Sequence, residues 1–371
     1  MPDIDLEALR STVVWASLAL GLVLGAVMHR TNFCTMGAIA DIVNMGDWNR
    51  MRMWVCAIGV AIVGTQLLAA TGLVDPAKTI YTGARLTWLS YLVGGFLFGF
   101  GMVLASGCGS KTLVRLGAGS LKSVVVFIAL GLGAYMTLKG LTAVWRVSAL
   151  TPVATSMAPR QDLPRLLADG GTLTLVTAHL VLGLAIGGAL IVWALASREF
   201  RTPLNLLGGI VPGLVIVGVW YVSGHIGYVP EHPDTLEEAF VATNSGRAES
   251  FSFVAPIAYT IELFLFWSDA SRIVTVGIAA VFGMIAGSLL SALATRQFRW
   301  EGFGGTEDTA NHLVGGLLMG IGGVTALGCT IGQGMSGVST LALGSFVALA
   351  AIGAGAVAAL KYQYWRIERM I

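Results

Sequence analysis

Most of this chain consists of apolar runs that are long enough to cross a lipid bilayer. Each run has about 17–25 residues, and a helix of about 20 residues spans the hydrocarbon core. Only 11% of the residues are charged, whereas about a quarter are charged in soluble domains. The sequence therefore predicts an all-α integral membrane protein with about nine transmembrane helices. The predicted spans lie near 12–28, 53–73, 86–105, 121–141, 172–196, 204–226, 271–294, 310–327 and 339–360.

Two of these runs are built alike, and each ends in a glycine-cysteine pair. The stretch from Gly94 to Cys108 reads GGFLFGFGMVLASGC, and the stretch from Gly315 to Cys329 reads GGLLMGIGGVTALGC. One offset relates both pairs of ends, since 315 − 94 and 329 − 108 both equal 221. Paired and interrupted apolar spans at matching places in two halves indicate a transport site. We therefore expect an internal repeat with a thiol at the same place in each half.

An odd number of spans makes the second repeat inverted with respect to the first, because one linking span lies between them. The apolar segments 31–45 and 251–267 are too short or too broken to cross the membrane, and they pair with each other across the two halves. Irregular backbone at membrane depth is tolerated only where it is buried in protein or lines a wet cavity. The predicted divisions are 1–141 for the first membrane repeat, 142–203 for an outer loop plus the linking transmembrane helix, and 204–371 for the second, inverted repeat.

The distribution of charge predicts the orientation in the membrane. With the N-terminus outside, the inner side carries 13 basic and 7 acidic residues, and the outer side carries 9 and 13. The net charges are then 13 − 7 = +6 inside and 9 − 13 = −4 outside, which follows the positive-inside rule. The basic residues Arg115 and Lys122 are interpreted as interfacial anchors on the inner side. We therefore expect a periplasmic N-terminus and a cytoplasmic C-terminus.

The interruptions after the glycine-cysteine pairs are the best candidates for a substrate pathway. A broken helix offers free backbone N–H groups and a positive dipole end, which suit an anion. A lone buried cysteine often behaves only as a small hydrophobic residue, and this packing role is the better account of Cys56. The strongest candidates are Cys34, Cys108 and Cys329. The weaker ones, which flank these cysteines, are Gly107, Gly328, Asn32, Thr35, Lys111, Thr330 and Gln333.

Other kinds of chemistry lack a sequence signal. The four cysteines include no C-x-x-C pair, so no zinc site or dithiol motif is visible. No P-loop is present, which argues against ATP hydrolysis by this chain. We therefore predict a protein that is not an enzyme and that has no cofactor or metal.

Three cysteine motifs in order give the chain a resemblance to a known family. They are Thr31-Asn32-Phe33-Cys34, Ser106-Gly107-Cys108 followed by Thr112-Leu113-Val114-Arg115-Leu116-Gly117, and Gly328-Cys329-Thr330-Ile331-Gly332-Gln333-Gly334. On these motifs the chain resembles the YeeE/YedE family of bacterial membrane proteins over nearly its whole length. It departs from many members at Gly109-Ser110, where they carry a proline soon after the first glycine-cysteine pair.

The resemblance implies thiosulfate uptake across the bacterial inner membrane, for sulfur assimilation and cysteine synthesis. It also implies an hourglass-like helical protein with two short re-entrant regions near the midplane, in which Cys34, Cys108 and Cys329 are the pathway cysteines. Members are often linked to a small cytoplasmic sulfurtransferase-like protein of the TusA type. Our hypothesis is a relay in which protonated thiols pass thiosulfate between the helix breaks. The alternatives are transport of another sulfur or selenium species, a membrane thiol oxidoreductase, and a subunit or sensor that does not transport.

Overall fold

The computed structural model describes residues 5–157, 159–171, 173–233, 235–269, 271 and 273–369. These residues are mostly helical, and π-helical turns extend or join several of the α-helices. The α-helices are α1 (Leu6–Thr31), α2 (Thr35–Met45), α3 (Asn49–Ala70), α4 (Trp88–Leu104), α5 (Gly109–Gly117), α6 (Leu121–Lys139), α7 (Leu141–Trp145), α8 (Leu163–Asp169), α9 (Leu175–Leu182), α10 (Gly188–Leu195), α11 (Pro203–Tyr221), α12 (Val254–Leu265), α13 (Val276–Ala294), α14 (Thr306–Thr325) and α15 (Leu343–Glu368). The π-helical turns are Arg146–Leu150, Gly183–Gly187, Val222–Ile226 and Gly332–Gly337, and Pro76–Lys78 forms a 3-10 turn.

The predicted fold class is confirmed: the chain is an all-α membrane protein. Eight helical segments in the described part of the chain are long and apolar enough to cross a membrane. One predicted span, 310–327, is not among these eight segments. It is helical as α14, but the first turn of α14 contains Glu307 and Asp308. This acidic first turn sits favourably at the positive end of the helix dipole and lowers the apolar content of the helix.

Helices from the two halves pack on each other in exchanged pairs. Helix α1 lies along α13 and α11 lies along α3, while α4 packs on α15 and α6 on α14. Where lipid surrounds the helices, small residues let backbones approach closely. The α4–α14 crossing depends on four glycines in this way.

Glycine pairs at the α4–α14 crossing exchange under the 221-residue offset. A Cβ added at Gly94 would lie 2.7 Å from the carbonyl oxygen of Gly322, and one at Gly322 would lie 2.6 Å from that of Gly94. The corresponding distances for Gly101 and Gly315 are 2.7 and 2.6 Å. Since the offset converts Gly94 into Gly315 and Gly101 into Gly322, one contact maps onto the other. Such reciprocal contacts are the pattern of a local two-fold relation.

Four two-residue strands tie the connecting segments together. They form two antiparallel pairs, β1 (Arg85–Leu86) with β2 (Thr155–Ser156) and β3 (Tyr228–Val229) with β4 (Ala239–Phe240). The outer loop that the sequence predicts at the start of 142–203 is not free of helix: residues 142–170 contain α8 and the π-helical continuation of α7. Helix α8 begins where the side chain of Asp162 caps it and Pro164 occupies its first turn, both of which favour a helix start.

Candidate functional site

Each of the three candidate cysteines lies two residues after a left-handed backbone position. The φ angles are 52° at Asn32, 56° at Ser106 and 58° at Leu327. Residues other than glycine rarely adopt this conformation, and here it ends one helix and turns the chain into the next. The breaks at Cys34, Cys108 and Cys329 therefore share one backbone design.

The two repeated breaks end their helices with the same hydrogen bonds. The N–H of Gly107 donates to the carbonyl of Met102, and the N–H of Gly328 donates to that of Gly323, both at 2.8 Å. One residue earlier, the N–H of Ser106 donates to Val103 at 3.1 Å, and Leu327 repeats this bond to Val324. This is the Schellman arrangement, which satisfies the last carbonyls of a helix. The duplicated sequences thus fold into duplicated helix ends.

All three thiols are buried at the start of the helical segment that follows the break. Cys34 caps α2, where its Sγ accepts a hydrogen bond from the N–H of Gly37 at 3.4 Å. The Sγ of Cys329 accepts one from Gly332 at the same distance. The Sγ of Cys108, which caps α5, lies 3.2 Å from the Oγ of Ser110. The thiols therefore lie among N–H groups at the positive ends of helices.

A large cavity with a basic lining opens beside the first of these thiols. We call it the basic cavity, and its volume is about 730 Å³. Its walls are formed by the end of α1, by the starts of α2, α3, α5 and α6, and by the segment that follows α13. Its lining residues include Asn32, Cys34, Arg50, Ser106, Lys111, Arg115, Arg296, Gln297, Arg299 and Glu301.

Two arginines of the basic cavity are held by defined contacts. The guanidinium of Arg50 passes over Gly37, where a Cβ would collide with it, and its Nε lies 3.1 Å from a carboxylate oxygen of Asp41. The Nη1 of Arg115 donates to the carbonyl of Ser106 at 2.7 Å. The guanidinium of Arg50 thus lies over the first turn of α2, whereas Arg115, in the last turn of α5, reaches back to the break that precedes Cys108.

A second cavity opens beside the other glycine-cysteine break. We call it the hydroxyl cavity; its volume is about 270 Å³, and side-chain hydroxyls are frequent in its lining. It carries one cation and one carboxylate, Arg146 and Glu249. Other residues of its lining are Tyr81, Ser245, Ser250, Ser252, Ala255, Tyr259, Leu327 and Gly328.

The two cavities lie at opposite ends of the same helices. Helix α6 starts next to Ser120 of the basic cavity and reaches Leu138 of the hydroxyl cavity, and α13 runs in the opposite direction between the two. Each of these helices has 19 residues, which corresponds to about 28 Å. This separation is close to the thickness of the hydrocarbon core, about 30 Å.

The predicted site residues fall into three places. Asn32, Cys34 and Lys111 line the basic cavity, and Gly328 lines the hydroxyl cavity. The remaining residues are buried away from both linings: Thr35, Gly107, Cys108, Cys329, Thr330 and Gln333. Cys108 lies within electrostatic range of both Cys34 and Cys329 and so links the two sides.

Two buried polar side chains next to Cys329 have unsatisfied atoms. The Oγ1 of Thr330 and the Oε1 of Gln333 lack a hydrogen-bond partner among the described residues. The amide nitrogen of Gln333 donates to the carbonyl of Ala326 at 2.5 Å, which fixes its orientation across the break. Buried groups of this kind are uncommon, and they mark a place where water or a ligand can bind.

The sequence interpretation missed four arginines of the basic cavity. Arg50, Arg296 and Arg299 contributed only to the predicted orientation, and Arg115 was interpreted as an anchor. The available signal was proximity, since Arg50 and Arg115 lie within 16 residues of a candidate cysteine. Arg296 and Arg299 follow α13, far from any motif, and only the packing of α13 along α1 and α5 brings them close.

Two other side chains lie apart from the cavities. Lys122 has its Nζ 2.9 Å from a carboxylate oxygen of Asp308, as suits a surface ion pair. Cys56 is 1% exposed within α3, where it packs against Gly209 of α11. Within the residues that the structure describes, no group of three or more His, Cys, Asp or Glu side chains is arranged to hold a metal ion.

Comparison with known proteins gives a family and two curated relatives. A model of the family described as Sulphur transport matches residues 30–358. A protein of Spirochaeta thermophila named thiosulfate transporter TsuA is 26% identical over 343 residues, covering 91% of this chain and 94% of that protein. A protein of the same name from Escherichia coli is 26% identical over 333 residues, covering 87% of each chain.

Proposed function

Because this chain belongs to the Sulphur transport family, we propose that it takes up thiosulfate across the bacterial inner membrane. The names of the two curated relatives support thiosulfate as the substrate. The imported sulfur would serve sulfur assimilation and cysteine synthesis. In this proposal the N-terminus is periplasmic and the C-terminus cytoplasmic, so the hydroxyl cavity faces the periplasm and the basic cavity faces the cytoplasm.

The observation that carries the proposal is a series of three buried thiols at helix breaks. Cys34 lines the basic cavity, Cys329 follows Gly328 of the hydroxyl cavity, and Cys108 lies within electrostatic range of both thiols. Thiosulfate is a dianion with one soft terminal sulfur. A neutral thiol offers a weak S–H donor and a polarisable sulfur to such a group. Conduction requires sites that bind well enough to admit the ion and weakly enough to release it. Thiols at helix ends meet both requirements better than a guanidinium clamp.

The proposed path runs from the hydroxyl cavity past Cys329, Cys108 and Cys34 into the basic cavity. Backbone N–H groups at the helix starts offset the charge of the ion along this route. Near Cys329, the hydroxyl of Thr330 can donate a hydrogen bond to the ion. The hydrogen bond from the side chain of Gln333 to Ala326 holds the conformation of the helix break. The thiols remain protonated, because a thiolate would repel the dianion.

The cytoplasmic end of the path is more positive than the periplasmic end. Lys111, beside Cys34 and Cys108, provides the first cation that the ion meets on the inner side. Basic residues at a mouth raise the local concentration of an anion. A small cytoplasmic sulfurtransferase-like protein of the TusA type would then receive the ion at this mouth.

The predicted repeat remains part of the proposal. The divisions are 1–141 for the first repeat, 142–203 for the outer segment and linking helix, and 204–371 for the inverted repeat. The exchanged glycine contacts of the α4–α14 crossing support a two-fold relation between these halves. The short helices α2 and α12 occupy matching places and are the proposed re-entrant elements of an hourglass-like pathway.

Uptake of labelled thiosulfate by liposomes that contain the purified protein tests the proposal. We expect Cys34→Ala, Cys108→Ala and Cys329→Ala each to lower uptake at least about tenfold. Each substitution removes one polar interaction between the protein and the ion, and this loss raises the barrier to passage. Cys56→Ala is the matched control, because this thiol is equally buried but lies apart from both cavities, and we expect nearly unchanged uptake.

Two outcomes would contradict different parts of the proposal. Normal uptake by all three pathway variants, with insertion verified, would eliminate the thiol relay and leave thiosulfate transport intact. No uptake by the unmutated protein in the same liposomes would eliminate self-sufficient thiosulfate transport.

A further inference from the structure

The basic cavity holds more positive charge than its acidic groups balance. Among the described residues, five lysine and arginine side chains contribute to its lining, and Glu301 is the one acidic residue of that lining. A carboxylate oxygen of Glu301 also lies 3.8 Å from the Nζ of Lys122, outside the lining. Arg50 is paired with Asp41. Most of the positive charge in this cavity is therefore not neutralised by the protein.

Lys111 is one of the partly buried cations of this lining. Its aliphatic stem packs over Gly107, where a Cβ would lie 3.1 Å from its Cγ, and its side chain is partly buried. Among the described residues its ammonium has no hydrogen bond or ion pair. A cation that is withdrawn from water without a partner is costly, and an anion bound beside it would remove that cost. The groups within electrostatic range of Lys111 include His29, Cys34, Arg50, Cys108 and Arg115.

Two further arginines are held at the mouth of the cavity by backbone hydrogen bonds. The N–H of Arg299 donates to the carbonyl of Ala118, and the N–H of Glu301 donates to that of Gly119, both at 3.3 Å. The N–H of Leu121 donates to the carbonyl of Glu301 at 2.9 Å. These bonds fix the segment that follows α13 across the start of α6. The side chains of Arg296 and Arg299 have no ion pair within the described chain, so they are available to a ligand.

We infer that the basic cavity is a binding site for a small divalent oxyanion from the cytoplasm, of which sulfate is the simplest member. Its donors are guanidinium, ammonium and amide N–H groups, which match hard oxygen atoms, and Cys34 is its single thiol. Its volume lies within the range of small-molecule sites, about 300–1,000 Å³, and leaves room for hydration water. The assignment of this mouth to the cytoplasm rests on the proposed function.

Occupation of this site would regulate uptake from the inner side. A bound dianion neutralises the cations that draw thiosulfate out of the path and repels the next ion at Cys34. Uptake should therefore slow as the internal oxyanion concentration rises. The sulfur-rich cell would thus limit its own import without a separate regulatory domain.

Equilibrium dialysis with labelled sulfate tests the site without requiring transport. The protein is placed in phosphatidylcholine nanodiscs at low ionic strength, where screening of charge is weak. The test variant combines Arg296→Asn with Arg299→Gln; asparagine suits the φ of 57° at residue 296. The control combines Arg198→Gln with Lys361→Gln, which removes the same charge from exposed positions outside the cavity.

We expect saturable binding of sulfate to the unmutated protein. The affinity should weaken at least about fivefold in the test variant and less than about twofold in the control, because direct contact with the two arginines contributes more to sulfate affinity than net charge does. Cys329→Ala should bind sulfate normally. The proposal is overturned if the unmutated protein shows no saturable binding, or if the control loses as much affinity as the test variant.

Two further measurements identify the source of the bound anion and its effect on thiosulfate uptake. If nanodiscs with phosphatidylglycerol abolish sulfate binding, a lipid headgroup occupies the cavity and the soluble ligand is excluded. Thiosulfate uptake into liposomes loaded with sulfate should fall at least about twofold for the unmutated protein and not for the test variant. Sulfate binding without any thiosulfate uptake would defeat the proposed function and leave this site standing.

Discussion

The two glycine-cysteine breaks share a backbone but open on different surroundings. Ser106 and Lys111 of the first break line the basic cavity, whereas Leu327 and Gly328 of the second line the hydroxyl cavity. Both breaks use a left-handed residue and the same pair of helix-ending hydrogen bonds. The repeat therefore determines where the chain is interrupted, and the individual side chains determine what each interruption meets.

Charge is the main difference between matching positions. Under the 221-residue offset Lys111 corresponds to Gly332, and Cys34 of the basic cavity corresponds to Ala255 of the hydroxyl cavity. At these two pairs of matching positions, the cation and the thiol occur only in the first half of the chain. The two breaks are alike in backbone, and unequal side chains at matching positions give them electrostatically different surroundings.

The largest expected effect tests what the two halves have in common. Gly94→Val and Gly322→Val should each destabilise the protein by about 3 kcal/mol, the upper end of the usual cost of overpacking, because the new side chain enters the backbone of the facing helix. A Cβ would lie 2.5 Å from the N of Ala326 in the first case and 2.5 Å from the N of Phe98 in the second. The measurement is the yield of monodisperse protein in size-exclusion chromatography.

Gly353→Val of α15 is the matched control, since an added Cβ at this position meets nothing within 4 Å. It should give nearly the normal yield. If one of the two variants, Gly94→Val or Gly322→Val, greatly lowered the yield of monodisperse protein and the other did not, the reciprocal packing would be contradicted.

A moderate effect should distinguish the two breaks. A Cβ at Gly328 would lie 3.1 Å from the backbone N of Gln333, whereas one at Gly107 would meet only the side chain of Lys111 within about the same distance. Backbone yields less easily than a flexible side chain. Gly328→Ala should therefore destabilise the protein by about 1–3 kcal/mol, and Gly107→Ala by under about 1 kcal/mol, in thermal unfolding of the purified protein. Equal losses would show that the two breaks are packed alike.

The smallest expected effect concerns the charge of the hydroxyl cavity. Burial raises the pKa of the Glu249 carboxyl, although the N–H of Ser245 donates to it at 2.8 Å. As the external pH falls towards this raised pKa, the carboxylate is neutralised and Arg146 remains as the cation of the cavity. The KM for thiosulfate should then fall about two- to threefold between pH 7.5 and 5.5, because one negative charge that repels the anion near the protein surface is removed.

Glu249→Gln should give the lower KM at both pH values. Glu238→Gln is the control, because the ammonium of Lys78 donates a hydrogen bond to Glu238 and lowers the pKa of its carboxyl, which therefore stays charged in this range. Unchanged pH dependence in Glu249→Gln would exclude this carboxylate as the titrating group.

The sequence was a reliable guide to the elements with a strong pattern. Apolar runs of membrane length predicted the spanning helices, and the glycine-cysteine repeat predicted both helix breaks. The segment 142–170 was less accessible to prediction, because α8 has only seven residues and depends on its cap at Asp162 and on contacts with α9. Short helices owe their stability to tertiary packing more than to propensity, so periodicity alone does not reveal them.

What the sequence determined by itself was the membrane class, the repeat, and the positions of the thiols, since each follows from local composition or from one constant offset. The cavities were decided only by the tertiary structure. Arg296 and Arg299 lie far from the cysteine motifs along the chain, and the packing of α13 places them opposite Lys111. Electrostatic sites depend on distances in space, and chain separation carries no information on those until helices have packed.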